Sequence, residues 1–293
     1  MCGRVAVIGY PTQVTNQALV HAWRDAGVDA LLLEPRDAIS ELGLRDTALV
    51  RLDVLRTLDG VEPGLQLVNR LESRGVSLLN RPAGLLGAHD KLMTARRLHS
   101  AGIPHPRTAH VTSAEDLPHL EPPVVVKPRF GSWGLDVFRC ENATELQRCL
   151  LTLEDRSWFR RQGALVQEVV STGRQDLQLI AAGGHVVGAA LRAAAPGEWR
   201  TNVSLGGTFA PTVPEAQASR LATAAAAAIG IDLGGVDLVY TDAGSVMVLE
   251  LNAAAEFDDR YSLPSRHVLL DAADALGLLP HALGPAAEVA SAR

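Results

Sequence analysis

The sequence predicts an α/β N-terminal domain built on a parallel sheet, followed by a larger α+β region of helices and β-hairpins. Three observations predict it. Strand-like and helix-like patterns alternate through residues 1–86, apolar strands paired about Gly-rich turns mark the second half, and 293 residues are about twice one ordinary domain.

Residues 4–9 are an apolar run that reads as a buried strand. Residues 15–26 carry an amphipathic helical pattern stopped by Gly27, and residues 29–33 give a second short strand. A helix over 63–74 and a strand over 76–79 complete the unit 1–86, whose alternation implies helical crossovers. The turn at Gly9, Tyr10 and Pro11 lacks the G-x-G-x-x-G spacing, which disfavours a dinucleotide site and with it a nicotinamide-dependent oxidoreductase. Residues 87–101 read as a helix with Lys91 in its first turn, ended by Gly102 and Pro104. A proline-bounded approach at 118–123 leads into a buried strand at 124–126, then Lys127, Pro128 and the Gly-flanked loop 131–134. A helix over 143–153 and a strand over 164–170 follow, then a hairpin of 177–182 with 186–192 about Gly183 and Gly184. An alanine-rich helix over 215–229, a hairpin over 235–251 and a helix over 265–276 complete the pattern, and the tail 281–293 is expected to be flexible.

A chain that is 47% hydrophobic and 20% charged, with mean hydropathy +0.10, has the composition of a soluble globular enzyme. It excludes a disordered, collagenous or coiled-coil chain. No apolar stretch approaches the ~20 residues of a membrane span. The start of the chain shows neither a long apolar h-region nor a cleavage site, and Cys2, Cys140 and Cys149 fit no metal-ligand spacing and cannot all pair. A cytoplasmic protein is the expectation. The net charge of -6 argues against nucleic acid as a partner and favours small molecules. Of the 27 basic residues, only Lys91 and Lys127 are lysines. Lysine is a compact point charge on a flexible stem, so two lysines kept against an arginine bias suggest tight pockets for a phosphate oxygen or a carbonyl; chance survival at the surface is the bland alternative.

The hairpin near residue 240 is the most informative local feature. Its turn is Asp242-Ala243-Gly244-Ser245. If Thr241 pairs with Val246, Asp237 falls opposite Glu250, with Asn252 on the same face two residues on. Two carboxylates facing each other in apolar strands repel unless a cation lies between them, and an all-oxygen set suits magnesium; a shared proton or a solvated hairpin is the other reading. The segment from 124 to 134 places Lys127 just before glycines that let backbone approach phosphates, with Ser132 as a donor, although a plain turn has the same composition and no Walker sequence is present. Arg192 at a strand end and Arg200 in a polar stretch can neutralise charge during group transfer, or simply form surface ion pairs.

The order of these residues resembles the ATP-grasp carboxylate-amine ligases, in the RimK and LysX branch. The resemblance rests on Lys91, Lys127-Pro128 with loop 131–134, Gln167-Glu168-Val169-Val170, Asp176, Arg192, Arg200-Thr201-Asn202, Asp237 and Glu250-Leu251-Asn252. Leu79-Asn80-Arg81-Pro82 and the run 252–257 are especially similar to LysX-type enzymes. The resemblance implies an ATP-grasp fold of two α+β subdomains, expected at 87–165 and 166–280, behind the N-terminal α/β domain. It implies ATP and magnesium, with two ions, as cofactors. Lys91, Lys127, Ser132, Trp133, Gln167, Glu168, Val169, Val170, Asp176, Arg200, Thr201 and Asn202 would hold ATP. Asp237, Glu250 and Asn252 would bind the metal, and Arg192 and Arg200 would act in catalysis. Two departures stand out: the family often has Asp-Ile-Arg where this chain has Asp176-Leu177-Gln178, and an Arg before its Gly-Gly pair where this chain has Leu205.

The implied reaction activates a carboxylate as an acyl phosphate and lets an amine displace the phosphate. A glutamate side chain joined to a free amino acid is the expected pair, with Glu256, Asp258 and Arg260 gripping the acceptor or merely solvating a loop. The acidic chain is a poor electrostatic match for an acidic carrier protein, so a LysX-like ligase on a carrier's C-terminal glutamate, or a RimK-like protein glutamylase, is the alternative. A nucleotide-binding regulator without catalysis is another. Relatives suggest a homodimer or homotetramer.

Overall fold

The computed structural model describes residues 3–171 and 173–279. The expected tail 281–293 lies outside the described residues. The N-terminal sheet contains β1 (Val5–Ile8), β2 (Ala30–Leu33), β3 (Thr47–Val50) and β4 (Ser77–Leu79), all parallel, in the order β2-β1-β3-β4. All four residues of β1 are buried, as a strand covered on both faces requires. The helices between them are α1 (Val14–Asp25), α2 (Pro35–Glu41) and α3 (Leu65–Ser73). The helix α1 buries Thr15, Asn16, Leu19, Val20 and Trp23, the single stripe its pattern predicts. The short α2 and β3 were not expected from the sequence, because neither is long enough to show a period.

Two helices stand where the sequence suggests one over 87–101: α4 (Pro82–His89) and α5 (Lys91–Ser100). Asp90 divides them. Its backbone is extended, and its carboxylate accepts hydrogen bonds from the N–H groups of Leu92 (3.1 Å) and Met93 (3.3 Å), capping α5.

The second sheet is antiparallel, in the order β5-β8-β6-β7: β5 (Thr108–Val111), β6 (Val124–Pro128), β7 (Phe138–Cys140) and β8 (Ala164–Glu168). Helices α6 (Ala143–Leu153) and α7 (Ser157–Gln162) cover it, and its core is its own apart from Leu58 of the N-terminal unit. Strand β8 runs across the 165/166 boundary suggested by the sequence. The third sheet has the order β11-β10-β9-β12-β13: β9 (Gln175–Ala182), β10 (His185–Ala193), β11 (Thr208–Pro211), β12 (Leu233–Tyr240) and β13 (Val246–Asn252). It packs with α8 (Ala216–Ile229) and α9 (Val268–Ala275) against the N-terminal sheet in two continuous cores. The lack of a side chain at Gly84 of α4 permits a close approach to the end of α8: a Cβ there would lie 1.9 Å from the Gly230 carbonyl oxygen. Among the described residues no helix is long and apolar enough to cross a membrane.

Asn80 fastens the first sheet to the third. It is fully buried with a left-handed backbone (φ 54°); its Nδ2 donates to the carbonyls of Val50 (3.2 Å), Leu233 (2.7 Å) and Ala253 (3.3 Å), and its Oδ1 accepts from the N–H groups of Asp232 and Leu233. Removing the amide leaves several buried backbone groups without partners. Asn80→Ala is therefore expected to lower unfolding stability by about 2–4 kcal/mol, read as a fall in the urea midpoint with little change in its slope.

Candidate active site

The third sheet brings the acidic and basic residues to one face. Alternation along β9, β10 and β12 points Asp176, Arg192 and Asp237 the same way, and the pairings Asp176 with Arg192 and Gln178 with Asp237 put their side chains side by side. Arg192 donates through Nε and Nη2 to the two oxygens of Asp176 (2.7 and 2.5 Å), and through Nη2 to Oδ2 of Asp237 (2.7 Å). Thr201 Oγ1 donates to Asp176 Oδ2 at 2.6 Å. Burial alone would lower the Arg192 pKa, but the two carboxylates beside it hold it well above its ordinary value. Burial pushes Asp237 up to about 6, against the pull of Arg192.

The hairpin of β12 and β13 reaches its register by a different route from the one expected. Tyr240, not Thr241, pairs with Val246, and a bulge at Leu249 restores Asp237 opposite Glu250. An extra residue in one strand re-aims its neighbours. This explains how the successive residues Leu249 and Glu250 both line one cavity. Glu250 Oε2 lies 3.4 Å from Lys91 Nζ, which also donates to the Gly131 carbonyl. Burial would raise the Glu250 pKa; the ammonium groups of Lys91 and Lys127 bring it below the ordinary carboxylate value. Lys127 is buried near the end of β6, and desolvation, with Lys91 adding to it, pulls its ammonium down to about 8. Asp90 caps α5 while its carboxylate holds Arg129 in a two-point pair, which sets where Lys91 begins the helix.

Lys91, Lys127, Ser132, Gln167, Glu168, Val169, Val170, Asp176, Arg192, Arg200, Thr201, Asn202, Asp237 and Glu250 line one cavity between the second and third sheets. The remaining five residues singled out in the sequence do not line it. Trp133 turns to Arg56. Asn252 projects with Glu250 but its Oδ1 accepts from the Ala254 N–H (2.8 Å). Glu256 accepts from the Thr15 N–H (3.0 Å) and Oγ1 (2.6 Å), tying its loop to the start of α1, while Asp258 and Arg260 pair with each other at 2.7 Å. A carboxylate beside the first turn of a helix is a common structural fastening. Glu168, which lines the cavity with Val169 and Val170, points its carboxylate at Arg107 (2.8 Å to the N–H, 2.6 Å to Nε). Arg200 holds Glu198, whose carboxyl falls to about 2, and donates to the Gly134 carbonyl at 2.8 Å.

Several cavity residues were not anticipated. Val125 and Val239 stand two positions from Lys127 and Asp237, so strand alternation was the signal that could have found them. Gln178 and Tyr261 lie just behind: the Gln178 amide donates to Asp237 Oδ1 (2.8 Å) and accepts from the Tyr261 hydroxyl (2.8 Å). The glutamine where arginine is often found thus forms a neutral support for Asp237.

The donor set fits a hard divalent cation. Among the described residues, no group of three or more His, Cys, Asp and Glu could hold a metal. Two facing carboxylates that need oxygen ligands from elsewhere match the habit of magnesium, which completes its shell with water and phosphate. Lys127, buried with no side-chain hydrogen bond among the described residues, is suited to a phosphate oxygen.

Comparison with known proteins agrees with this geometry. A sequence profile for the RimK-like ATP-grasp domain matches residues 88–262. The chain is 32% identical over 202 residues to N-acetylaspartylglutamate synthase A of Homo sapiens, covering 66% of this chain and 50% of that protein. It therefore spans about half the length of that relative. It is 29% identical over 268 residues to a probable alpha-L-glutamate ligase of Pseudomonas fluorescens (strain SBW25), covering 86% of this chain and 87% of the other. The crystal structure of a D-cycloserine synthetase superposes with a TM-score of 0.71 at 21% identity, over 94% of this chain and 98% of the other, a likeness of fold. With a family profile matched over more than half its length, and with the paired sheets, buried lysine and facing carboxylates just described, the chain belongs to the RimK-like ATP-grasp family.

Proposed function

We propose that this chain is an ATP- and magnesium-dependent ligase that joins a carboxylate to the α-amino group of an amino acid, releasing ADP and phosphate, with glutamate as one partner. The observation that carries this reading is Asp237 facing Glu250 at the end of a cavity where Lys91, Lys127 and Arg192 converge. Its support from outside the chain is membership of the RimK-like ATP-grasp family and relatives whose names contain glutamate.

In this reading the backbone at Glu168, Val169 and Val170 meets the adenine edge, and Lys91 and Lys127 bind phosphate oxygens. A free carboxylate is a poor electrophile. Attack of its oxygen on the γ-phosphorus breaks the bond to ADP and forms an acyl phosphate; the amine then forms the amide, and phosphate leaves as the nitrogen loses its proton. Magnesium held by Asp237 and Glu250 would offset phosphate charge and orient the transferring group, and Asn252, now bonded to the Ala254 N–H, would join them by turning its amide oxygen into the cavity. Arg192, kept cationic by Asp176 and Asp237, is placed to stabilise charge as it develops on the phosphoryl oxygens. The loop 131–134, held by Arg200, excludes water that would hydrolyse the intermediate. Gln178, a neutral group beside Asp237, suits a less anionic substrate than an arginine there would.

Two measurements test this. Enzyme incubated with ATP, magnesium, glutamate and a pool of amino acids is expected to form ADP and phosphate only when a carboxylate substrate is present. Fragment masses of the product then tell whether glutamate gives its side-chain carboxyl, for a γ-glutamyl product, or its amine. Carboxylate-independent ADP formation, or none with any small molecule or protein substrate, overturns the reading. The second concerns Lys127. Because the free protein holds its ammonium down to about 8, and a polyphosphate favours the charged form, ADP binding is expected to take up a proton above that pH. Affinity should fall by up to about tenfold per pH unit above 8, and calorimetry in buffers of different ionisation enthalpy should detect the proton, with both effects lost in Lys127→Met.

A further inference from the structure

The loop 131–134 is held from two sides, and only one belongs to the cavity. On the cavity side, Arg200 donates to the Gly134 carbonyl (2.8 Å) and Lys91 to the Gly131 carbonyl, while at the surface Ser204 Oγ donates to the Trp133 carbonyl (3.0 Å). Trp133 itself has a left-handed backbone (φ 59°), an unfavourable conformation for a bulky residue. Its ring does not line the cavity, although Gly131, Ser132 and Gly134 do. The Arg56 guanidinium covers that ring, with Cζ 3.7 Å from the ring centroid.

Arg56 comes from the N-terminal unit. It lies on a protrusion over residues 54–61, closed by an antiparallel bridge between Val54 and Val61 and by the Leu55 N–H donating to the Gly60 carbonyl (2.9 Å). This protrusion is anchored in the second sheet. Leu58, 4% exposed, packs into that sheet's core. Asp59 pairs with Arg161 of α7, and Gln162 Nε2 donates to its carbonyl at 3.3 Å. Among the described residues, none before Lys91 lines the cavity, and the stacking of Arg56 on Trp133 joins the protrusion to the loop that does.

We propose that Arg56 is a positioning residue for the loop that covers the phosphates: stacked on Trp133, it holds the strained loop closed from outside the cavity, so that the N-terminal unit governs how long nucleotide stays bound. This rests on the reading that the cavity takes ATP. Arginine stacking on tryptophan supplies an attraction that a point charge only partly reproduces, and it opposes the relaxation of a left-handed Trp133.

Arg56 is exposed, so Arg56→Ala should leave the fold intact. In the full chain it is expected to raise the dissociation constant for ADP about threefold to tenfold, chiefly through faster release, and to speed amide hydrogen exchange across 131–135 without moving the thermal midpoint. Arg56→Lys should recover part of the loss. Trp133→Leu should match Arg56→Ala, and the double variant should add little to either. Unchanged ADP release together with unchanged exchange at 131–135 in Arg56→Ala overturns the proposal, as does full additivity of the two single variants. A wild-type chain that binds no adenine nucleotide refutes the ligase reading instead, and loop exchange in the nucleotide-free protein then decides the role of Arg56.

Discussion

One buried guanidinium, Arg192, compensates two buried carboxylates on the neighbouring strands β9 and β12, and the rest of the site depends on that arrangement. Within an apolar sheet, Asp176 and Asp237 would repel each other and lose hydration without return. Removing one member of such a buried set typically costs about 3–5 kcal/mol, because a charge is left uncompensated. With Arg192 in place, the two acids stay fixed by hydrogen bonds from several directions: Thr201 on Asp176, and the Gln178 amide, itself set by Tyr261, on Asp237. The same charges that settle the sheet would serve the phosphoryl transfer proposed for this cavity. A cation entering between Asp237 and Glu250 would meet carboxylates already oriented, which is what preorganisation means in electrostatic terms.

Around this centre, the three sheets are joined unequally. The first and third share two cores and the buried Asn80 knot, so they behave as one body. The second sheet has its own core and meets the rest through more separable features, among them the Lys91 contacts, the two-point pair of Arg129 with Asp90, the Arg200 hold on Gly134, and the protrusion that carries Arg56 and Leu58. Apolar packing spread over an extended core is hard to open, whereas a few polar or stacking contacts open readily. The Gly-rich loop, where Trp133 holds an unfavourable backbone angle, lies at that more separable boundary.

Much of this was legible in the residues themselves. The alternation of the first 80 residues and the paired apolar runs about Gly183-Gly184 and 242–245 specified a parallel sheet followed by antiparallel ones, because strand and helix periods are local properties of the chain. The scarcity of lysine drew attention to Lys91 and Lys127, and both line the cavity. Turn chemistry placed Asp237 opposite Glu250, although by a register that needed the bulge at Leu249 to become true. The helix break at Asp90 was overlooked because an apolar period runs through it, while its capping carboxylate is decided by two backbone N–H groups.

The sequence by itself determined the alternation of strand and helix in the N-terminal unit, the hairpins about Gly183-Gly184 and 242–245, and the order of motifs from Lys91 to Asn252, because each segment carries its own period or turn chemistry. Only the tertiary structure decided that Trp133 turns from the cavity to Arg56, that Glu256 fastens to Thr15 241 residues away, and that Gln178 supports Asp237 from the neighbouring strand. Each of those outcomes is a competition between partners far apart in the chain, settled by which side chains packing brings within a few ångströms; no local period or propensity encodes the winner.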